Sequence, residues 1–203
     1  MRHPWALRCS LFAWVTVIAG LLLSTAAQAQ KFDVTPVIEK KISQLPAGPL
    51  FWRVDTFLTL GKAQAAAAGP TALAAEVDGK AWLFTLGPPG GSSPGGSKVA
   101  EIGPVPAINA PEYLLRVVHS GGPPGAATPV HTHPGSETFY VLSGELTQKT
   151  PEGVRSISAG QSMPGHPPDT PMQVSSTGTS DLSALVMFVN DATKPFSSPA
   201  TMP

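Results

Sequence analysis

The sequence predicts an all-β protein, an antiparallel sandwich or barrel with an N-terminal extension of strands and one short helix. Two observations carry this. From Tyr113 onward, short runs rich in β-branched and aromatic residues (YLLRVVH, ETFYVL, LSALVMFV) alternate with Gly, Pro, Ser and Thr turns at close spacing. Gly and Pro, 20 and 23 of 203 residues, are abundant enough for a loop-rich domain yet short of a low-complexity chain.

The elements follow in chain order. Residues 1–29 carry Arg2 and Arg8, an apolar run from Leu11 to Leu23, and the A-x-A signal Ala27-Gln28-Ala29. This is the layout of a secretory signal peptide cleaved after Ala29. Its apolar core is shorter than the about 20 residues a spanning helix needs. The product is then expected in the periplasm or outside the cell, free of the membrane after cleavage. Residues 30–109 read as an extension packing on the barrel. Within it, residues 30–49 are polar and mixed, an arm or linker. Leu50 to Leu60 reads as a strand. Ala63 to Ala75 is alanine-rich but broken by Gly69-Pro70, which predicts a short helix near 71–76 with Thr71 as N-cap. Lys80 to Leu86 is a second strand, and Gly87 to Ser97 (GPPGGSSPGGS) is a mobile surface connector rather than a flap. Residues 110–190 hold the main β unit, with strands at 113–119, 129–133, 137–142, 145–149, 155–158, 172–175 and 182–189. Residues 191–203 read as a tail along the surface.

Charge excludes one class of partner. Thirteen Lys and Arg balance thirteen Asp and Glu, and no basic run exceeds Lys40-Lys41, so nucleic acid is not an expected partner. Loss of residues 1–29 removes Arg2, Arg8 and Cys9, the only cysteine, and leaves a net charge of −2. The exported chain then has neither a disulfide nor a thiol nucleophile.

The chemistry concentrates at His131, His133 and Glu137. Residues i and i+2 of a strand face the same side. Both imidazoles therefore project into one space, and the turn Pro134-Gly135-Ser136 returns the chain so that Glu137 lies beside them on a paired strand. Two imidazoles and a carboxylate with open positions form a facial site for one divalent transition metal, Fe, Mn or Zn. Phe139 and Val141 share the face of Glu137 and supply a dry wall. His119 lies on an apolar strand face, where a packed, hydrogen-bonded role is expected. Arg116 points the other way and reads as an ion-pair residue. Tyr140 and Leu142 make the Glu137 strand apolar on its second face too. That face must be covered by the N-terminal strands or by a second subunit in a homodimer.

The segment GAATPVHTHPGSETFYVLSG, residues 125–144, resembles the first signature motif of the cupin superfamily without a mismatch. The resemblance implies a cupin-type double-stranded β-helix, or jelly roll, with the metal inside. It extends over about residues 110–190. The second motif is degenerate: Gly160 fits its opening and residues 171–178 its ending, but Met172 stands where the fourth ligand, a histidine, belongs. His166, six positions earlier, is either a substitute ligand or a loop histidine at the barrel mouth, and Met172 reads as a core filler. Two functions follow. One is an exported metal-dependent enzyme, of oxygenase, isomerase or hydrolase type, acting on a small oxygenated molecule. The other is a non-catalytic periplasmic cupin that binds a small molecule or serves a structural role.

Overall fold

A five-stranded sheet, a three-stranded sheet and a two-stranded pair share a barrel, and a four-stranded sheet covers its outer face. The computed structural model describes residues 30–203; the predicted signal peptide, residues 1–29, lies outside the described residues. The strands are β1 (Asp33–Ile42), β2 (Phe51–Phe57), β3 (Ala72–Val77), β4 (Lys80–Gly87), β5 (Ser97–Ile102), β6 (Tyr113–Gly122), β7 (His131–Thr132), β8 (Gly135–Ser143), β9 (Glu145–Thr150), β10 (Gly153–Ser158), β11 (Ser162–Met163), β12 (Gln173–Ser176), β13 (Leu182–Asp191) and β14 (Ser198–Pro199). Among the described residues one helix, α1 (Leu60–Ala66), joins them. A five-stranded sheet, β1-β6-β13-β8-β11, faces a three-stranded sheet, β10-β9-β12, and the pair β14-β7. The ladders are antiparallel throughout. The architecture is therefore the mostly antiparallel β-sandwich that the sequence predicts.

Alternation along the strands divides the core in two. Val118, Phe139, Val141, Val174, Val186 and Phe188 point into the barrel and pack together. Their neighbours Leu115, Val117, Leu185, Met187 and Val189 point outward and pack against Trp52, Val54, Trp82, Phe84 and Leu86 of a four-stranded sheet, β3-β4-β2-β5. The central strands of the five-stranded sheet are thus buried on both faces, which is why β13 is apolar almost without interruption. The cover over Tyr140 and Leu142 is this sheet of the chain's own, with the Trp82 ring 6.3 Å from that of Tyr140.

Three elements differ from the sequence reading. The arm at 30–49 contains β1, a ten-residue edge strand paired with β6. Its mostly exposed, lysine-bearing face hides the strand signal, and the register shift between Pro36 and Ile38 accommodates a proline that only an edge tolerates. The helix lies at 60–66, not at 71–76, where β3 runs instead, paired residue for residue with β4. Alanine propensity yields there to a complete ladder and to burial of Ala72, Leu73, Ala75 and Val77. The true N-cap is Thr59, whose hydroxyl accepts from the Lys62 N–H at 3.3 Å. Thr59→Ala is expected to cost about 1 kcal/mol, read as a lower urea midpoint at unchanged slope. Third, the connector after β4 is pinned. Ser93 is buried, donates to Asp55 Oδ2 at 2.9 Å and accepts from Arg53 Nη2 at 2.9 Å.

Candidate metal centre

His131 and His133 sit where the chain crosses from one sheet to the other. β7 does not pair with β8, as a simple hairpin would require. It pairs with β14, and His131 also exchanges two backbone hydrogen bonds with Met172, at 2.9 and 2.8 Å. Pro134 then leads into β8, where Glu137 is registered on Phe188 of β13. Imidazoles and carboxylate approach each other from two sheets across the barrel interior.

They converge all the same. One ligand atom from each of His131, His133 and Glu137 lies within 4.8 Å of the others. The two rings stand nearly perpendicular, 4.9 Å apart at 87°. Their tautomers follow from backbone acceptors. His131 Nδ1 lies 2.8 Å from the Pro129 carbonyl, and His133 Nδ1 lies 2.6 Å from the Phe196 carbonyl. A carbonyl only accepts, so each Nδ1 carries the hydrogen and each neutral ring keeps its lone pair on Nε2. His133 Nε2 faces Glu137 Oε2 at 3.5 Å.

Burial sets the protonation states. His133 is enclosed by Phe188 and Phe196, each ring 4.9 Å away. Desolvation lowers its pKa to about 4, against the opposing hydrogen bond to Phe196, with the fields of His131 and Arg116 lowering it further. Desolvation raises Glu137 to about 8, partly offset by a hydrogen bond from Gln148. A buried carboxyl group, its pKa raised by desolvation, grouped with two imidazoles is a donor set that fits a divalent transition metal.

The remaining candidates fall around this cluster. The structure does not bring His166 into it. His166 is buried, with Nε2 3.1 Å from Gln148 Oε1 and Nδ1 3.4 Å from Glu152. Gln148 in turn donates to Glu137 Oε1 at 3.0 Å and to Met172 Sδ at 3.4 Å. His166 therefore fixes which way the Gln148 amide points. Gly165 makes this approach feasible, because a Cβ there would strike the Glu137 carbonyl. Met172 is buried beside the cluster and outside it. Gln148 is absent from the sequence reading; its signal is parity, a polar side chain two positions from the core residue Leu146 and so on the same inward face of β9. His119 Nε2 bonds Ser183 Oγ at 2.8 Å. Arg116 donates to Glu39 at 2.7 Å and covers the Phe196 ring at 4.1 Å.

A cavity of about 350 Å³ opens beside the cluster. Phe32, Val118, Phe139, Val186, Phe188 and Phe196 give it apolar walls. Phe196 is the largest departure from the expected surface tail. The segment after β13 folds back, inserts this ring against His133 and Phe188, and lays Ser198-Pro199 along β7.

Residues 121–188 match the family described as cupin domain. No curated protein matches the chain. Among solved structures, it is similar to the DMSP lyase DddQ from Ruegeria pomeroyi (24% identity over 42% of this chain and 43% of that one, TM-score 0.38). It is also similar to a cupin-like protein from Thermotoga maritima (18%, 43% and 65%, TM-score 0.39) and to an oxalate decarboxylase from Lactobacillus farciminis solved with formate (19%, 42% and 26%, TM-score 0.37). The chain thus spans less than half the length of the first and last of these.

Proposed function

We propose that His131, His133 and Glu137 hold one divalent transition metal, iron, manganese or zinc, and that the chain is a metal-dependent enzyme acting on a small oxygenated molecule in the adjoining cavity. The observation that carries this reading is the convergence of two imidazoles and a buried carboxyl group at an apolar cavity. When bound, the metal supplies a Lewis acid that polarises a substrate oxygen. The protein's own residues do the rest. Phe139, Phe188 and Phe196 exclude water, and Gln148 holds the Glu137 carboxyl group in one orientation. Apart from the three metal-binding side chains, no titratable residue lines this cavity among the described residues, which favours a neutral substrate. The same feature supports the second reading, a non-catalytic binder, since no free general base stands in the cavity.

Elemental analysis after loading with Fe, Mn and Zn should find about one ion per chain, lost in His131→Ala. Metal-dependent turnover of a metabolite mixture, followed by mass spectrometry, separates the two readings: metal without turnover leaves the binder. His166 acts through Gln148 in this proposal. His166→Ala is therefore expected to weaken metal binding about tenfold without abolishing it, whereas a direct ligand would cost far more. We also propose export, with the mature chain starting at Gln30. Mass spectrometry of the periplasmic fraction tests this, and an intact Met1 would contradict it.

A further inference from the structure

The segment that follows β13 belongs to two sites at once. Its Phe196 carbonyl accepts the His133 Nδ1 hydrogen at 2.6 Å and lies 3.5 Å from Asn190 Nδ2. Asn190 is fully buried and packs against Gly135, where a Cβ would collide with its side chain. The Phe196 ring is held by Phe188 at 4.8 Å and by the Arg116 guanidinium at 4.1 Å, and Arg116 is itself anchored by Glu39. Phe196, Ser197, Ser198 and Pro199 meanwhile line the cavity. What holds the segment down beyond this ring is slight: two ladder positions, Ser198 on Thr132 and Pro199 on His131, and one further bond from Ala200 N–H to the Val130 carbonyl at 3.1 Å.

We infer that residues 192–200 form a strap that couples the cavity to the metal-binding histidine: the Phe196 carbonyl, positioned by Asn190, keeps the His133 lone pair on Nε2, while the same strap forms a wall of the cavity. The inference rests on the metal reading above for its consequence, but not for its geometry. A neutral imidazole without that acceptor divides between two tautomers, and only one offers Nε2 to the cluster. Lifting the strap to admit a ligand therefore withdraws the group that prepares His133. Metal binding and strap closure then favour each other by linkage, each by the same factor. Asn190 and Phe196 are positioning residues: neither supplies an atom to the cluster.

Two experiments test this, one of them without metal. In the metal-free wild type, nitrogen-15 NMR of the imidazoles should show His133 as the Nδ1–H tautomer. In Phe196→Ala, and in Asn190→Ala, it should become a mixture, while the methyl signals of Leu115 and Leu185 in the outer core stay in place. An unchanged tautomer in both variants overturns the inference, whatever the metal content. Second, Thr132→Cys with Ser198→Cys places a thiol pair across the β7–β14 ladder. Loaded with zinc and oxidised, this variant should release its metal to EDTA at least about tenfold more slowly than the same protein reduced, because the strap no longer opens. Equal release rates overturn the coupling. Failure of wild type and variant alike to take up zinc sinks the metal reading and leaves the tautomer result to decide the strap.

Discussion

Glu137→Gln is expected to empty the metal centre while leaving the fold intact. Glutamine has the shape of glutamate and still accepts from Gln148 through its carbonyl oxygen, so packing in the barrel is preserved. What disappears is the only carboxylate in the cluster. Two neutral imidazoles give a dication no charge compensation, and the walls of Phe139, Phe188 and Phe196 keep out the water that would otherwise supply screening. Metal affinity should fall by more than the about 10–100-fold typical of groups that merely orient a ligand. Elemental analysis should read close to zero ions per chain in a protein with an unchanged circular dichroism spectrum. Full metal content in this variant would remove Glu137 from the ligand set.

The second large effect is a stability that declines with pH in the metal-free protein. Glu137 titrates near 8 in the folded chain against 4.5 for the free side chain, so the folded state holds a proton the unfolded state has lost. Stability from this group is fully present below 4.5 and disappears as pH rises through 8. His133 has the opposite sign. Its folded value of about 4 lies below 6.5, so its contribution is lost as pH falls through that window. Between about 4.5 and 6.5 the two slopes oppose each other. From 6.5 to 8 Glu137 acts alone, and the loss is about 2 kcal/mol. Urea titrations of metal-free protein at pH 6.5 and 8 should show it, Glu137→Gln should lack it, and saturating metal at pH 8 should reverse it. Metal-free stability that holds level or rises over that interval would contradict the buried, protonated carboxyl group.

The parts of the site legible in the sequence were those fixed by short spacing. His131, His133 and Glu137 fall within seven residues, and two-residue periodicity with one reversal brings their side chains together. The route was not legible: the reversal carries the chain between sheets, because β7 finds its partners in β14 and Met172 rather than in β8. Contacts distant in sequence stayed hidden for the same reason. The Phe196 carbonyl meets His133 across 63 positions, and Gln148 meets His166 across 18. Within the extension, β3 and β1 were obscured by composition. Alanine favours helix in isolation, and a lysine-bearing edge carries half the usual strand pattern, so only the neighbouring ladders decide.

The doubly buried strands β6 and β13 also bear on how the protein can be handled. A fragment trimmed to the family match at 121–188 would lose β6 almost entirely and bare Leu185 and Met187 to water. Such a piece would have a greasy flank and a raw hydrogen-bonding edge, the combination that drives clumping. Expression and crystallisation should therefore keep everything from Asp33 onward, and melting should proceed as one event rather than as the separate loss of two halves.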